Sequence, residues 1–120
     1  VFARALRDEG ADYVCVSSGG ISPSVSVPAG PGYQVPFAAQ IRKEAGIATQ
    51  AVGMIVKPEQ AEEIIASGKA DMVALARAFL DNPRWVWHAA EKLGDSVHYP
   101  PQYARAARPL WPGASLLRPV

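Results

Sequence analysis

Two short apolar segments of the chain end in residues that could bind a phosphate group. Ala51-Val-Gly-Met54 ends in a glycine turn, and Val73-Ala-Leu-Ala-Arg77 ends in a guanidinium. Backbone N–H groups at such a turn donate hydrogen bonds to an anion, and the planar fork of arginine binds two phosphate oxygens at once. In parallel α/β barrels, the loops after the last two strands commonly bind phosphate. The pattern therefore predicts a phosphate site formed by Gly53, Met54, Ala76 and Arg77.

The segments that must position these residues alternate between amphipathic helices and apolar strands. Each of three helices is followed by a glycine suited to the left-handed end of a helix, at Gly10, Gly46 and Gly68. The predicted strands cover residues 13–17, 48–52 and 72–75, and their apolar runs lack polar alternation. Such runs are typical of parallel strands that are covered on both faces. The pattern thus predicts an α/β fold with a parallel sheet.

Proline and glycine divide the remainder of the chain. The stretch 19–35 is rich in Gly, Pro and Ser, and an irregular loop of this length is typical of a functional segment. Pro58 predicts a helix start, and Asn82-Pro83 predicts the start of a last helix, with Asn82 as its cap and Gly94 at its end. Residues 95–120 are predicted to form an extended tail, which divides the sequence into a barrel part, 1–94, and this tail.

Length and composition narrow the class of protein. A complete eight-stranded α/β barrel needs about 250 residues, so this chain of 120 residues, which starts at Val1, is predicted to be a C-terminal piece of one. The net charge of +1 argues against a nucleic-acid partner, and no apolar run is long enough to cross a membrane. Cys15 is the only cysteine, which favours a reducing cytoplasm, and no metal site is expected.

Five segments, taken in order, resemble the C-terminal third of the old yellow enzyme family, and in particular its bacterial, thermophilic-like branch. They are Val16-Ser-Ser-Gly19, Pro31-Gly-Tyr-Gln-Val-Pro-Phe37, Ala51-Val-Gly-Met54, Ala70-Asp-Met-Val-Ala-Leu-Ala-Arg77 and Asn82-Pro-Arg-Trp85. The resemblance implies an FMN-containing (β/α)8 TIM barrel, of which this chain would hold strands six to eight with their helices. It also implies an enzyme that takes hydride from NADPH and reduces the activated C=C bond of an enone-type substrate.

By this resemblance, seven residues of the chain contact or approach the cofactor. Ser18 and Gly19 lie near the flavin, and Gln34 lies close to it in the following loop. The backbone of Gly53 and Met54 contacts the FMN phosphate, and Ala76 and Arg77 form the second phosphate-binding element. The family's catalytic acid and carbonyl-binding residues fall outside this chain. No catalytic residue is therefore assigned here, and the chain alone is expected to be inactive.

A further segment, Gln102-Tyr-Ala-Arg105, resembles the C-terminal part of this branch, in which an arginine reaches into a neighbouring subunit's active site. The resemblance implies that Arg105 is such an intersubunit residue and that the protein is a homodimer or a homotetramer. After Ala106 the sequence departs from the family pattern.

Two other functions stay open at this stage. The first is another phosphate-binding barrel enzyme, such as an isomerase or an aldolase. That reading predicts a catalytic Lys, Glu or Asp at a strand end, and none of the three strand ends carries one. The second is a non-catalytic half-barrel remnant that acts as an interaction module and forms a stable oligomer without flavin.

Overall fold

The computed structural model describes residues 1–19, 22, 24 and 26–116 of the chain. Helices and strands alternate as predicted, and the described elements are α1 (Phe2–Asp8), β1 (Tyr13–Val16), α2 (Val35–Ala45), β2 (Ala48–Val52), α3 (Pro58–Ala66), β3 (Met72–Ala74), α4 (Arg77–Asp81), α5 (Trp85–Leu93) and two 3-10 helices (Pro101–Ala106 and Pro112–Leu116). The chain forms two compact units, Val1–Pro83 and a second one that begins at Arg84. The domain division predicted at residue 94 stays a prediction.

The three strands form a parallel sheet in the order β1-β2-β3, which confirms the predicted α/β architecture. Val16 of β1 pairs with Ala51 of β2, and Ala51 pairs in turn with Val73 of β3. Because parallel strands in this register end at the same edge, the residues that follow them are brought together. The segments after Val16, Val52 and Ala74 therefore share the carboxyl edge of the sheet.

Helices cover one face of this sheet. In β2, Thr49 and Ala51 are fully buried, and their neighbours in the strand are half-buried. Helix α2 packs against β1 and β2, and α3 packs against β3. On the other face Tyr13 is 49% exposed and Cys15 is also exposed, so the coverage of both faces that is expected of a complete barrel stays a prediction. Helices α2 and α3 pack on the side of the strands where Thr49 and Ala51 are buried, and α1 packs against α2.

The predicted helix ends are confirmed at their glycines. Gly10, Gly46 and Gly68 have φ angles of 93°, 63° and 72°, which lie in the left-handed region. Gly94, with a φ of 82°, ends α5 as predicted.

The segment between β3 and α5 differs from the prediction. Residues Arg77–Asp81 form the short helix α4, and Asn82 ends it in an extended conformation with φ −133° and ψ 90°. Arg84, rather than Asn82, is the N-cap of α5. The cause is Pro83, because the residue before a proline is driven out of the helical region. Asn82 and Pro83 therefore separate two helices instead of starting one.

The second unit consists of α5 and the C-terminal segment. Trp85 and Ala89 of α5 are buried. The predicted extended tail is wrong at two places, where 3-10 helices form at Pro101–Ala106 and Pro112–Leu116. Each of these helices begins at a proline, whose fixed φ suits a first helical turn and whose missing N–H costs no hydrogen bond there. Residues 117–120 of the predicted tail lie outside the described residues.

Candidate functional site

The end of β2 turns sharply at Gly53 and Met54. Gly53 has a φ of 118°, and Met54 has a φ of 50°, a left-handed value that is uncommon for a residue with a side chain. Gly53 is buried, and a Cβ placed on it would lie 2.9 Å from Tyr33 Cε1 and 3.0 Å from Gln34 Nε2. This position therefore requires glycine for two reasons: its backbone conformation, and the close approach of Tyr33 and Gln34 from the loop before α2.

Gln34 joins the ends of β1 and β2. Its side chain is buried, and its Oε1 accepts hydrogen bonds from the backbone N–H of Ser18 and from Ser18 Oγ, the latter at 3.0 Å. Its Nε2 donates to the carbonyl oxygen of Val52 at 3.4 Å. Both ends of the amide are thus engaged by the protein. The structure brings Ser18, Gln34 and Gly53 together, as expected for one site.

Ala76 and Arg77 follow β3 at the same edge of the sheet. Ala76 has a φ of −102°, which a residue with a Cβ adopts freely, and it is the N-cap of α4. Arg77 is exposed at the first position of α4. Within the described part of the chain its side chain forms no hydrogen bond or ion pair. A guanidinium without a protein partner is available to an anionic ligand.

The turn after β2 and the turn after β3 open onto one cavity of about 640 Å³. Clefts that hold cofactors and other small molecules commonly measure roughly 300–1,000 Å³. Of the seven residues assigned to the cofactor, five line this cavity: Gln34, Gly53, Met54, Ala76 and Arg77. Ser18 reaches it through its hydrogen bonds with Gln34, whereas Gly19 is exposed and is not a lining residue.

Sequence reasoning missed a residue on the other side of this turn. Gln60, in the first turn of α3, donates from Nε2 to the carbonyl oxygen of Met54 at 3.2 Å. Its Oε1 accepts a hydrogen bond from the backbone N–H of Val56 at 3.1 Å. The only available signal was an amide residue just after Pro58, the proline that starts α3. That position alone does not distinguish this amide from an ordinary solvent-exposed helix residue.

Arg105 lies in the second unit, where it is an exposed residue of the 3-10 helix Pro101–Ala106. Nearby in sequence, the ring of Tyr103 lies 5.2 Å from the guanidinium carbon of Arg84 and 5.8 Å from the ring of Trp87. These contacts anchor the helix that carries Arg105 to α5.

A cavity of about 210 Å³ lies within the second unit, and Arg84, Trp87, His88, Tyr99 and Trp111 are among its lining residues. Glu91 joins its wall, where it accepts hydrogen bonds from the Tyr99 hydroxyl and from Arg108 Nε, the latter at 2.7 Å. Burial and this hydrogen bond to Glu91 raise the pKa of Tyr99 to about 12. The Glu91 carboxylate is therefore committed to holding the C-terminal segment on α5.

Among the described residues, no group of three or more His, Cys, Asp and Glu side chains is placed to hold a metal ion. No helix in the described part of the chain is long and apolar enough to cross a membrane.

Comparison with known proteins assigns the chain to a family. The sequence profile of the NADH:flavin oxidoreductase / NADH oxidase family matches residues 14–96. The chain is 47% identical over 105 residues to an NADPH dehydrogenase of Listeria monocytogenes serotype 4a (strain HCC23). It is 48% identical over 107 residues to an NADPH dehydrogenase of Geobacillus sp. (strain WCH70), and 47% identical over 107 residues to one of Geobacillus thermodenitrificans (strain NG80-2).

These matches cover 88% of this chain for the Listeria relative and 89% for the two Geobacillus relatives, but only 31% of the length of each relative. The chain therefore corresponds to about a third of these curated relatives. The matches confirm the resemblance to the old yellow enzyme family that the five segments carried. Since the profile matches well over half of the residues, the chain belongs to the NADH:flavin oxidoreductase / NADH oxidase family.

Proposed function

We propose that this chain supplies the phosphate-binding part of an FMN-dependent oxidoreductase that uses NADPH to reduce the C=C bond of enone-type substrates. The observation that carries the proposal is the pairing of two elements on one cavity. The Gly53–Met54 turn lies on its wall together with Arg77, whose side chain has no partner among the described residues. The relatives named NADPH dehydrogenase support the choice of electron donor.

The residues at this site fit the phosphate of FMN. A phosphate dianion that leaves water needs several donors, and a hydrogen bond to a charged group contributes roughly 1.5–3 kcal/mol. Successive backbone N–H groups in a turn form a concave site for an anion. The turn at Gly53 and Met54 and the fork of Arg77 would together hold the phosphate oxygens. Among the described residues that line this cavity none carries a carboxylate, so no negative charge from these residues opposes the anion.

The family membership and the sheet register support a place within a TIM barrel. We assign β1, β2 and β3 to the sixth, seventh and eighth strands of the (β/α)8 fold. Under this assignment the carboxyl edge of the sheet, where Ser18, Gly53 and Arg77 follow their strands, lies at the catalytic end of the barrel. The half-exposed face with Tyr13 and Cys15 would then point into the barrel and be covered by the other strands.

Bound FMN would supply the hydride-transfer chemistry between NADPH and substrate. The residues of this chain act by binding and orienting it. Gly53, Met54, Ala76 and Arg77 would fix the phosphate end. Ser18 and Gln34, which are hydrogen-bonded to each other, would shape the wall nearer the ring system. Gly19 is exposed next to Ser18 and would complete this part of the site.

We further propose that Arg105 completes the site of a neighbouring subunit in a homodimer or homotetramer. Its exposure on a 3-10 helix that aromatic contacts anchor to α5 supports such a role. The presence of a single cysteine, the free thiol of Cys15, supports a cytoplasmic location, because reducing conditions keep thiols unpaired.

A chimeric enzyme tests the proposed function. The segment of the Geobacillus sp. (strain WCH70) NADPH dehydrogenase that matches this chain is replaced by this chain, and the product is purified and its flavin content measured. We expect about one FMN per chain and oxidation of NADPH with an enone substrate. A chimera that folds cooperatively but purifies without flavin would contradict the proposal. The parent Geobacillus enzyme is the control for expression and flavin loading.

A further inference from the structure

Three consecutive carbonyl groups at the end of β2 are tied to other parts of the first unit. Each has its own donor, and the donors come from two different segments of the chain. Gln34 Nε2 lies 3.4 Å from Val52 O, the Gly32 N–H nitrogen lies 2.9 Å from Gly53 O, and Gln60 Nε2 lies 3.2 Å from Met54 O. The turn is therefore held from both sides, by the loop before α2 and by the first turn of α3.

The direction of these carbonyl groups fixes the direction of the N–H groups between them. A trans peptide unit is planar, and its C=O and N–H bonds point in opposite directions. No peptide bond among the described residues is cis. The N–H groups of Gly53, Met54 and Ile55 therefore point away from Gln34, Gly32 and Gln60, which hold the carbonyls. All three residues of this N–H series line the 640 Å³ cavity.

Gln60 bonds the part of this turn in which the backbone is most strained, next to Met54. Met54 has a φ of 50°, and a residue with a side chain in the left-handed region is strained unless its surroundings hold it there. The amide of Gln60 bonds Met54 O and the N–H of Val56, so it fixes the two peptide groups that follow the strained residue. One side chain therefore bridges two backbone groups on the C-terminal side of Met54.

We propose that Gln60 is a positioning residue for the anion-binding turn, and that it acts together with Gln34. The two amides bind the carbonyl oxygens of Val52 and Met54, which would otherwise repel an anion, and leave the N–H groups of the turn to bind it. This inference rests on the proposed function, since it takes the ligand of the turn to be a phosphate group. Neither glutamine needs to touch that phosphate.

The first test uses the flavin-free chimeric Geobacillus enzyme that carries this chain and needs no ligand. In Gln60→Met, which keeps the length of the side chain and removes both hydrogen bonds, we expect the Val56 amide to exchange with solvent about tenfold faster, as loss of a hydrogen bond of ordinary strength implies. The ³J(HN–Hα) coupling of Met54, which reports φ, is expected to shift away from its left-handed value. Gln40→Met is the matched control, because Gln40 is an exposed glutamine of α2 that bonds only Glu44 among the described residues, at 2.9 Å.

A second variant, Gln60→Glu, distinguishes the loss of a specific hydrogen bond from a general failure to fold. Its carboxylate still accepts a hydrogen bond from the Val56 N–H but cannot donate to Met54 O. We expect Val56 exchange close to that of the unsubstituted chain, together with a shifted Met54 coupling. Unchanged Val56 exchange and an unchanged Met54 coupling in Gln60→Met would overturn the inference.

The second test adds inorganic phosphate as the probe. We expect Gln60→Met to weaken phosphate binding about tenfold. In a Met54→Gly background, where a left-handed φ carries no strain, we expect the same substitution to weaken phosphate binding much less. Equal effects in the two backgrounds would overturn the positioning role. If the flavin-free chimeric enzyme without further substitutions bound no phosphate, the proposed function would be contradicted, and the exchange and coupling data would still decide whether Gln60 sets the turn.

Discussion

Gly53 illustrates how a single residue links the fold to the candidate site. Its φ of 118° excludes an ordinary side chain, and the ring of Tyr33 occupies the space that a Cβ would need. Because Gly53 has no side chain, only its backbone lines the cavity at this point, and a ligand can approach the peptide groups closely. Conformation, packing and access to the ligand therefore all require glycine here.

Substitution of Gly53 tests this account at the residue scale. Gly53→Ala is expected to lower the free energy of unfolding of the chain by about 1–3 kcal/mol, because backbone strain and the clash with Tyr33 add. Urea unfolding followed by circular dichroism measures the change. Gly10→Ala is the matched control, since Gly10 also has a positive φ, of 93°, but has no atom within 4 Å of an added Cβ. Equal losses in the two variants would show that the contact with Tyr33 contributes nothing.

The sequence indicated Gly53 and Arg77 but not the side chains that support them. Both are predicted from local patterns. Gly53 follows one apolar strand and Arg77 follows the next, and the alternation of helix and strand is enough to bring the ends of two such strands together. The hydrogen bonds of Gln34 and Gln60 depend on the path of the 19–35 loop and on how α3 approaches β2. No spacing rule links Gln34 to a carbonyl group 18 residues away.

At the scale of the elements, the amino edge of the sheet is held by an ion pair. Asp71, just before β3, accepts hydrogen bonds from Arg42 Nε at 3.0 Å and from the Thr49 N–H at 3.0 Å. It thereby joins α2, β2 and β3 at the edge opposite the candidate site. The Arg42 guanidinium and the Thr49 N–H hold the pKa of the Asp71 carboxyl below its ordinary value of 3.8.

The lowered pKa of Asp71 predicts a pH dependence of stability. A carboxyl group whose folded-state pKa lies below its unfolded-state value stabilises the fold above the unfolded-state pKa, and this contribution is lost as the pH falls through the folded-state pKa. Asp71→Asn is therefore expected to destabilise the chain at pH 7, with a difference from the unsubstituted chain that shrinks below pH 3.8. Urea unfolding across this pH range measures it. Asp12→Asn is the matched control, because Asp12 is exposed at the equivalent place before β1 and its side chain forms no hydrogen bond or ion pair among the described residues, and an equal loss of stability there would contradict the assignment.

Element boundaries also show what local sequence can predict. The strands after Gly46 and Gly68 were found because a left-handed glycine ends each preceding helix. The Asn82-Pro83 pair predicts a helix start, whereas in the structure the proline makes Asn82 the end of helix α4. The 3-10 helices of the C-terminal segment were missed because single turns built on proline have no hydrophobic period.

At the scale of the whole molecule, the chain corresponds to 31% of the length of its curated relatives, and its sheet has a half-exposed face. In the barrel that we propose, further strands would pair with the sheet edges and cover Tyr13 and Cys15. The sequence led to the family because five segments matched in order, which is a property of the chain as a whole. Assembly with neighbouring subunits through Arg105 belongs to the same scale and stays a proposal.

The central claim is that Arg77 and the Gly53–Met54 turn bind the phosphate of FMN. The most direct measurement is the dissociation constant of FMN and of riboflavin, which lacks the phosphate, for the chimeric Geobacillus enzyme with and without Arg77→Lys. We expect the substitution to weaken FMN binding at least about tenfold, the effect of losing one charged hydrogen bond of roughly 1.5 kcal/mol, and to leave riboflavin binding unchanged. An FMN affinity that does not change, or a parallel loss for both flavins, would contradict the claim.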